Sequence, residues 1–383
     1  MKWENIGHEF DYLKPFFDEE HTYAVWGAGT FGITFVENIA NEISIKCFID
    51  SSADKKGQVI SDLIVLSPEE FFDMNSDCIV LVATGYTNAV YSILNKYGYL
   101  KNHSYFHIDE FIMLYNFFNY NKVCVSDITI DITQCCTLKC EFCNGFIPQI
   151  CKPRHYSIES IKENIISILD WVDEITVLGL CGGDAMLHPK FCEILKWIGS
   201  KYYPQRVKNI EIYSNAVIIP SEEAIGLFKD YNIYYRFTDY SGASGRQNIC
   251  EVVNKLEENG IKYDHATFSE WYDCGYPQKS NGVKEDGLIK FFDMCDRKSC
   301  HTVWDKKLFP CGMCINADII DYCKYVDSDY FDLEKYDSSR RAELLEFYSG
   351  YSEKGYYEYC KMCNGSCNVN KHAIPVGIQL NNG

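Results

Sequence analysis

Four of the chain's twenty cysteines lie within nine positions of the stretch DITQCCTLKCEFCNG, residues 131–145. Three of them, spaced C-x3-C-x2-C, are Cys136, Cys140 and Cys143. Three thiolates on one loop can bind three irons of a cubane iron–sulfur cluster, whose full ligand set normally includes a fourth cysteine. Structural zinc is the alternative, but it needs four protein ligands, and Cys135 and Cys151 are awkwardly placed to supply the fourth. The spacing therefore indicates a cluster with one iron left open to bind a small chelating ligand.

The composition is that of a folded protein with more than one domain. The 383 residues are 47% hydrophobic and 15% aromatic, which suffices for well-packed cores, and a chain of this length usually forms two or three domains. The net charge of −18 would repel nucleic-acid phosphates and anionic membrane surfaces, so neither is expected as a partner. The N-terminal stretch lacks the apolar core of a signal peptide, and no run approaches about 20 apolar residues, so a cytoplasmic location is expected.

The remaining cysteines are unevenly placed. A disulfide framework is not expected in a reducing cytosol, so metal binding or catalysis is the better interpretation of so many thiols. A second group crowds the last quarter of the chain and comprises Cys295, Cys300, Cys311, Cys314, Cys323, Cys360, Cys363 and Cys367. Others stand in apolar or helical contexts, where cysteine usually serves as a small buried hydrophobic residue: Cys47, Cys78, Cys124, Cys192 and Cys250.

The first third of the chain alternates strands and helices in the manner of an α/β fold. The pattern predicts a small doubly wound parallel sheet in a domain of residues 1–115. Its first turn carries Gly27, Gly29 and Gly32, and Asp50 follows the second strand where a ribose-binding acid would stand. Two interpretations stay open: a nucleotide or nucleotide-sugar bound at the helix N-terminus, and a purely structural tight turn.

Through VWGAGTFG and FIDSSADKKGQVI, this first domain resembles the small N-terminal Rossmann-like domains attached to bacterial sugar-modifying enzymes. Residues 111–124, which are rich in aromatic side chains, are predicted to be a connecting segment.

A second α/β pattern covers residues 116–288 and predicts a partial (βα)6 barrel. In such barrels the reacting groups lie at the carboxyl ends of the strands and in the loops that follow them. The cysteine loop comes directly after the first predicted strand, SDITIDIT. The cysteines are therefore expected at the functional end of the barrel.

The stretch CTLKCEFC, with Phe142 before the last cysteine, resembles the C-x3-C-x-aromatic-C signature of the radical S-adenosylmethionine (SAM) superfamily. The resemblance implies that Cys136, Cys140 and Cys143 hold a [4Fe–4S] cluster whose open iron binds the amino and carboxylate groups of SAM. It also implies reductive cleavage of SAM to methionine and a 5′-deoxyadenosyl radical, which abstracts a substrate hydrogen atom. Flavodoxin or ferredoxin would supply the electron, and Phe142 is expected near the adenine.

Residues that follow the later barrel strands fit the same resemblance. The segment CGGDAMLHP resembles the family's Gly-Gly-Glu turn, which binds the SAM ammonium, with the shorter aspartate in place of glutamate. The contact between the Asp184 carboxylate and the SAM ammonium could run through a water molecule, or a backbone carbonyl could take its place. The positions that the resemblance implies for SAM binding are Gly182, Gly183, Asp184, Ser214, Asn215 and Thr238. The catalytic candidates, chosen by position alone, are Arg236, Asp239 and Tyr240, and ordinary polar strand ends are the alternative.

Residues 289–383 form a cysteine-rich region that resembles the twitch or SPASM extension of radical SAM enzymes, which carries auxiliary [4Fe–4S] clusters. A hairpin turn is expected around residues 305–307, although it lacks the usual glycine, and the last cysteines follow a shortened C-x2-C-x3-C pattern. These departures favour one auxiliary cluster over two. The predicted ligands are Cys300, Cys311, Cys360 and Cys363, and Cys295, Cys314 and Cys367 are possible replacements. Structural zinc is the alternative in this region.

The combined resemblance implies an oxidoreductase. An auxiliary cluster beside a radical site can accept an electron from the substrate, and the Rossmann-like domain favours a sugar or aminocyclitol alcohol, free or nucleotide-linked, as the molecule dehydrogenated. A peptide maturase of the same superfamily is the alternative. A protein of another class, in which a cluster serves only binding or sensing, would not need an open iron beside an ammonium-binding turn.

Overall fold

The structure is a computed structural model that describes residues 1–39, 41–74, 77–85, 87–366 and 369–380. It shows an α/β protein with largely parallel sheets, which confirms the predicted fold class. The chain divides into two units, one of Phe10–Lys122 and the other of Met1–Glu9 together with Val123–Gly383. The further division of the second unit near residue 289 stays a prediction.

The unit Phe10–Lys122 is built on a sheet of six strands. The strands are β1 (Thr22–Trp26), β2 (Ser44–Ile49), β3 (Val59–Ile60), β4 (Leu63–Leu66), β5 (Ile79–Val82) and β6 (Tyr105–His107). The helices are α1 (Lys14–Phe17), α2 (Thr30–Ile39), α3 (Pro68–Asp73), α4 (Thr87–Lys96) and α5 (Ile108–Tyr120). The strand order is β3-β4-β2-β1-β5-β6, and every pair is parallel except β3 with β4. The predicted small, doubly wound sheet is therefore confirmed.

One prediction for this unit was wrong. Residues 111–124, predicted as a connecting segment, contain most of helix α5 and the start of the next strand. Phe111 and Leu114 on this helix are completely buried, and Asn121 ends it in the left-handed conformation with φ of 51°. Aromatic side chains have modest helix propensity, but the burial of one helix face in a core overrides that preference.

The second unit is built on an eight-stranded sheet and a separate two-stranded one. The strands are β7 (Cys124–Thr133), β8 (Glu174–Gly182), β9 (Val207–Ser214), β10 (Tyr234–Thr238), β11 (Tyr263–Ala266), β12 (Trp271–Tyr272), β13 (Thr302–Trp304), β14 (Lys307–Phe309), β15 (Phe331–Asp332) and β16 (Ala373–Ile374). The large sheet has the order β11-β10-β9-β8-β7-β13-β14-β15, and β12 pairs with β16. Strands β7 to β11 are parallel to one another, and β13 is parallel to β7 and antiparallel to β14. The predicted barrel region, residues 116–288, supplies five of these six parallel strands, and the sixth, β13, comes from the region predicted as the cysteine-rich extension.

Helices α6 (Ile158–Trp171), α7 (Phe191–Tyr202), α8 (Glu222–Asp230) and α10 (Ile249–Glu258) connect the parallel strands β7 to β11, as the alternating pattern predicts. The other helices of this unit are α9 (Ser241–Ser244), α11 (Glu285–Asp293), α12 (Gly312–Ile319) and α13 (Arg341–Tyr348). Ser157 and Ser221 cap α6 and α8 by accepting hydrogen bonds from the backbone N–H groups of Ser160 and Ala224. Such caps depend on residues a few positions apart, as do the apolar faces of these helices.

The hairpin β13–β14 turns at Asp305 and Lys306, which have φ values of 49° and 56°. Two successive residues with positive φ are typical of a type I′ turn, whose twist matches that of the paired strands. The predicted hairpin is confirmed, and it forms without the glycine that usually accepts this conformation.

Among the helices that the structure describes, none combines the length and apolar character needed to span a membrane.

Candidate functional site

The cysteine loop follows the carboxyl end of β7 and lies against the end of β8. The backbone N–H groups of Gly183 and Asp184 donate to the carbonyl oxygens of Thr133 and Cys135, each at 2.9 Å. A Cβ atom on Gly182 would lie 2.1 Å from the Thr133 oxygen, and one on Gly183 would lie 2.2 Å from the Cys135 oxygen. Both glycines are therefore required for the close approach of the two backbones, and Gly182 also has φ of 129°.

The sulfur of each predicted cluster ligand accepts hydrogen bonds, some from the cysteine loop itself and some from distant segments of the chain. The Cys136 sulfur accepts from Leu138 N and Asn215 Nδ2, both at 3.4 Å. The Cys140 sulfur accepts from Gln379 Nε2 at 3.1 Å. The Cys143 sulfur accepts hydrogen bonds from the backbone N–H groups of Ile147, Gly145 and Phe146. N–H donors of this kind are the partners that a metal-bound thiolate needs.

The three thiols also lie within electrostatic reach of one another. Burial raises the pKa of Cys136 to about 12, and the nearby Asp184, Cys143 and Cys140 would in their ionised forms repel a thiolate there. Burial likewise raises the pKa of Cys140 and of Cys143. The thiols are therefore protonated in the metal-free protein, and metal binding would release protons. In the part of the chain that the structure describes, no three or more His, Cys, Asp or Glu side chains converge on the position of a single metal ion. A cubane cluster does not require this, because each thiolate binds a different iron.

Asp184 joins the ends of β8 and β9. Its Oδ1 accepts from Met186 N at 3.0 Å, and its Oδ2 accepts from Ser214 Oγ at 3.1 Å and Asn215 N at 3.2 Å. The side chain is buried, which raises its pKa despite these three donors. Asp184 therefore positions Ser214 and Asn215 through these hydrogen bonds. Its predicted contact with the SAM ammonium stays a prediction.

Asn215 connects Asp184 to the cysteine loop. Its Nδ2 donates to Thr137 Oγ1 at 3.0 Å as well as to the Cys136 sulfur, and its Oδ1 accepts from Val217 N at 3.0 Å. Thr238, at the end of β10, receives a hydrogen bond from Gln247 Nε2 on its carbonyl oxygen at 2.8 Å. Phe142 is partly buried on the cysteine loop, and its predicted position near adenine stays a prediction.

Two of the three catalytic candidates line one cavity of about 700 Å³, and the third does not lie on its wall. Asp239 and Tyr240 lie on the wall with Gly242, Ala243, Phe268, Ser269, Pro375, Val376, Ile378 and Gln379. Burial raises the pKa of Tyr240 to about 12. Gln379, on the same wall, donates to the Cys140 sulfur at 3.1 Å, so the cavity reaches the cysteine loop.

Arg236 is held elsewhere on the same sheet. Its Nε lies 3.5 Å from Glu211 Oε2 and 3.7 Å from Asp264 Oδ2. Burial opposes its charge, but Glu211, Tyr213 and Asp264 together raise the pKa of the guanidinium. The contacts of Arg236 are thus with strands β9 and β11, and its predicted catalytic role stays a prediction.

A second, much smaller cavity lies among the cysteines of the last quarter. The cysteines on its wall are Cys295, Cys311, Cys314, Cys360 and Cys363, and Arg297 also lines it. Cys300, which the sequence predicts as a ligand, is outside the described lining and pairs with Cys311 through the backbone. The hydrogen bond from Cys314 lowers the pKa of Cys311, and the charge of Arg297 contributes in the same direction. Cys367 lies outside the described residues.

Cys274 was not predicted as a functional residue. Its sulfur donates to Asn144 Oδ1, beside Cys143, at 3.2 Å, and it hydrogen-bonds Cys363 in the second cysteine group. The backbone of Asn364 donates to the Cys274 carbonyl oxygen at 3.1 Å. Cys274 therefore contacts Asn144 on the cysteine loop and Cys363 in the second cysteine group, and its isolated position in the sequence carried no signal of this.

The glycine turn of the first unit has a tight internal structure. A Cβ on Gly27 would lie 2.5 Å from the Ala83 oxygen, and one on Gly32 would lie 1.9 Å from the Gly27 oxygen, whereas Gly29 has open space. Asp50 accepts from Ala28 N and Ser52 N, each at 2.9 Å, and from Lys55 Nζ at 3.0 Å.

Burial works against the Asp50 charge, but the hydrogen bonds from Ser52, Lys55 and Ala28 lower its pKa. These contacts give Asp50 a structural role in the turn. Nucleotide binding by this unit stays a prediction.

Both units have matches among known proteins. A family model described as C2185-like, N-terminal, matches residues 20–104. No curated protein matches the chain in sequence. Among solved structures, BtrN in complex with AdoMet and 2-DOIA is 15% identical, with coverage of 63% of this chain and 93% of that chain and a TM-score of 0.41.

Two further solved structures extend this comparison. AnSMEcpe with bound AdoMet and Cp18Cys peptide is 10% identical over 67% of this chain and 93% of that one, with a TM-score of 0.41. SuiB from Streptococcus suis, bound to precursor peptide SuiA, is 13% identical over 73% of this chain and 77% of that one, with a TM-score of 0.34. All three structures are at most 15% identical to this chain, and the assignment to radical SAM enzymes rests on the resemblance of CTLKCEFC.

RSP, a Rex-family repressor whose structure in complex with beta-NADH is known, is 20% identical over 24% of this chain, with a TM-score of 0.21. The match spans about half the length of that protein, 50% of its chain.

Proposed function

We propose that this chain is a radical SAM oxidoreductase that dehydrogenates an alcohol of a sugar or aminocyclitol, with an auxiliary [4Fe–4S] cluster as electron acceptor. One observation carries the proposal: Gln379, on the wall of a cavity of about 700 Å³, donates a hydrogen bond at 3.1 Å to the sulfur of Cys140, one of the three predicted cluster ligands. Cavities of several hundred Å³ are typical of sites for small molecules, which favours a sugar-sized substrate over a peptide.

The residues around the loop fit a [4Fe–4S] cluster. Each of the three sulfurs has its own N–H donors, and Gly182 and Gly183 hold the loop at the end of β8. With SAM on its open iron, such a cluster supplies a 5′-deoxyadenosyl radical that abstracts a hydrogen atom from the substrate. The chain's own part is to hold the thiols, donate hydrogen bonds to them and place the substrate in the cavity.

Dehydrogenation of an alcohol also requires an acceptor for the hydroxyl proton, and Asp239 is the best placed group. Hydrogen bonds from Ser241 lower the pKa of Asp239, with a further contribution from His265. The carboxylate is therefore ionised at neutral pH and lies on the cavity wall. Its Oδ2 is 3.1 Å from His265 Nε2, and the His265 side chain is 35% exposed, which offers the proton a path to solvent.

Tyr240 is suited to a different role. With a pKa of about 12 its phenol stays neutral at physiological pH, so it donates a hydrogen bond rather than accepting a proton. On the cavity wall, that donor would orient a substrate oxygen next to Asp239. We therefore assign proton acceptance to Asp239 and substrate orientation to Tyr240.

The cavity lined by five cysteines is the proposed site of the auxiliary cluster. Three of the predicted ligands, Cys311, Cys360 and Cys363, line this cavity and are kept in the proposal. Cys295 also lines the cavity, so it replaces Cys300 as the fourth proposed ligand. The positive charge of Arg297 at the cavity lowers the cost of gathering thiolates there. Flavodoxin or ferredoxin is the proposed source of electrons for SAM cleavage.

The activity is tested directly by SAM cleavage. We expect the anaerobically reconstituted protein, reduced with dithionite, to convert SAM to methionine and 5′-deoxyadenosine. With a carbinol-deuterated aminocyclitol or sugar substrate, deuterium should appear in 5′-deoxyadenosine. Mass spectrometry of the nucleoside measures both outcomes. No 5′-deoxyadenosine with or without substrate would overturn the proposal, and deuterium transfer from a peptide instead would reverse the substrate assignment.

Removal of the proposed proton acceptor should separate product formation from SAM cleavage. We expect Asp239→Asn to lower the rate of substrate oxidation about 100-fold, the usual contribution of a general base, while substrate-free SAM cleavage is unchanged. Rates of product and 5′-deoxyadenosine formation measure the two effects. Asp264→Asn, on the neighbouring strand β11, is the matched control. Equal product rates in the two variants would remove Asp239 from this role.

A further inference from the structure

Residues 375–380 run alongside the cysteine loop although they lie more than 230 positions away in the chain. Glu141 N donates to the Ile378 oxygen and Leu380 N donates to the Lys139 oxygen, both at 2.8 Å. These bonds make an antiparallel bridge in which Cys140 is opposite Gln379. The segment is thus fixed to the loop through its backbone, independently of its side chains.

Both the oxygen and the nitrogen of the Gln379 side-chain amide form hydrogen bonds at this bridge. Its Oε1 accepts from Lys139 N at 2.8 Å, and its Nε2 donates to the Gly377 oxygen at 2.7 Å and to the Cys140 sulfur at 3.1 Å. Because a backbone N–H can only donate, the Lys139 contact requires the amide oxygen on that side. The amide NH₂ group must therefore face the Cys140 sulfur.

The same segment forms part of the cavity wall. Pro375, Val376, Ile378 and Gln379 line the cavity with Tyr240. Gly377 has φ of 66°, and a Cβ there would lie 3.0 Å from the Tyr240 Cβ. The segment is anchored further by the pairing of β16 with β12, whose Trp271 packs edge-on against Tyr240 at 5.4 Å. Residues 375–380 therefore contact both the cysteine loop and the proposed substrate cavity.

We propose that Gln379 is a positioning residue of the proposed cluster site: its amide N–H holds the Cys140 sulfur and favours the reduced form of a cluster bound there. The inference rests on the proposed function. Reduction adds negative charge to the cluster and its sulfurs, so a hydrogen-bond donor to a ligand sulfur stabilises the reduced form more than the oxidised one. Cys136 receives its donors from its own loop and from Asn215 just after β9, and Cys143 receives its donors from its own loop. The donor to Cys140 comes instead from a segment that also lines the proposed substrate cavity.

Two substitutions separate the side chain's contacts. Gln379→Glu keeps an oxygen for Lys139 N but replaces the N–H facing Cys140 by a negatively charged oxygen, and Gln379→Leu removes both polar contacts. Leu380→Ala, which leaves the backbone bridge and Gln379 intact, is the control; its side chain is 39% exposed. Each variant is reconstituted anaerobically as the full chain and titrated with a reductant while its cluster is followed by electron paramagnetic resonance. The SAM-site cluster is recognised by the change in its spectrum when SAM is added.

For both Gln379 variants we expect the ratio of reduced to oxidised SAM-site cluster at a fixed potential to fall about tenfold, with the larger fall in Gln379→Glu and the smaller in Gln379→Leu. The control should match the original protein. A Gln379→Glu titration identical to that of the original protein would overturn the inference. Loss of iron from the SAM site in both variants, with unchanged circular dichroism, would support the positioning role. Failure of the proposed function itself shows differently, as an original protein that holds no SAM-responsive cluster.

Discussion

Alanine in place of Cys136, Cys140 or Cys143 is expected to abolish SAM cleavage and to remove about four irons per chain. Each thiolate of this trio would hold a separate iron, so loss of one leaves a cubane with two protein ligands. Cys135→Ala is expected to keep both the iron and the activity. Cys135 contributes to the loop through its backbone, whose N–H donates to Thr133 Oγ1 at 3.0 Å and whose carbonyl accepts from Asp184 N at 2.9 Å. Alanine retains both bonds.

Iron and acid-labile sulfide analysis, together with 5′-deoxyadenosine formation, measures this contrast. Cys151→Ala serves as a second control, because Cys151 is an exposed cysteine shortly after the loop. The opposite pattern, with Cys135 essential and one of the trio dispensable, would mean that a different set of three thiols binds the cluster. Retention of full iron in all four variants would contradict cluster binding at this loop.

The second large effect concerns the cysteine cavity of the last quarter. Serine in place of any proposed auxiliary ligand is expected to lower the iron content from about eight to about four per chain. The proposed ligands are Cys295, Cys311, Cys360 and Cys363. SAM cleavage should persist in these variants, because the cysteine loop is intact, whereas oxidation of the substrate should stop without an electron acceptor. Cys300→Ser is expected to retain about eight irons.

The pair Cys295→Ser and Cys300→Ser decides the ligand set. Iron analysis and product formation measure the outcome, and Cys323→Ser, a buried cysteine that does not line the cavity, is the control. Loss of four irons in Cys300→Ser and retention in Cys295→Ser would restore the set predicted from the sequence. About four irons in the original protein would remove the auxiliary cluster from the proposal.

Local pattern predicted most of the fold. The apolar spacing of the helices and their serine caps are properties of neighbouring residues, and so is the turn at Asp305 and Lys306. Helix α5 escaped prediction because its aromatic residues form a helix only when Phe111 and Leu114 have a core to enter. Alternation of strands and helices then sufficed to predict parallel sheets, since parallel strands need such crossovers.

Some residues of the candidate site belong to short sequence motifs, and others come from distant parts of the chain. The C-x3-C-x2-C spacing and the glycine pair after β8 are visible in the sequence. The donors to the sulfurs are not: Asn215 is 79 positions from Cys136, and Gln379 is 239 positions from Cys140. Cys274, 130 positions from its partner Asn144, joins the cysteine loop to the second cysteine group without any motif of its own.

By itself, then, the sequence determined which thiols share a loop, which strand precedes them and which family they resemble, because these depend on residues a few positions apart. Only the tertiary structure decided that Asp184 is engaged by three donors, that Asp239 and Tyr240 share a cavity without Arg236, and that Cys295 rather than Cys300 lines the cysteine cavity. The physical reason is that hydrogen bonds and cavity walls are made where distant segments pack, and no short-range pattern records which segments will meet.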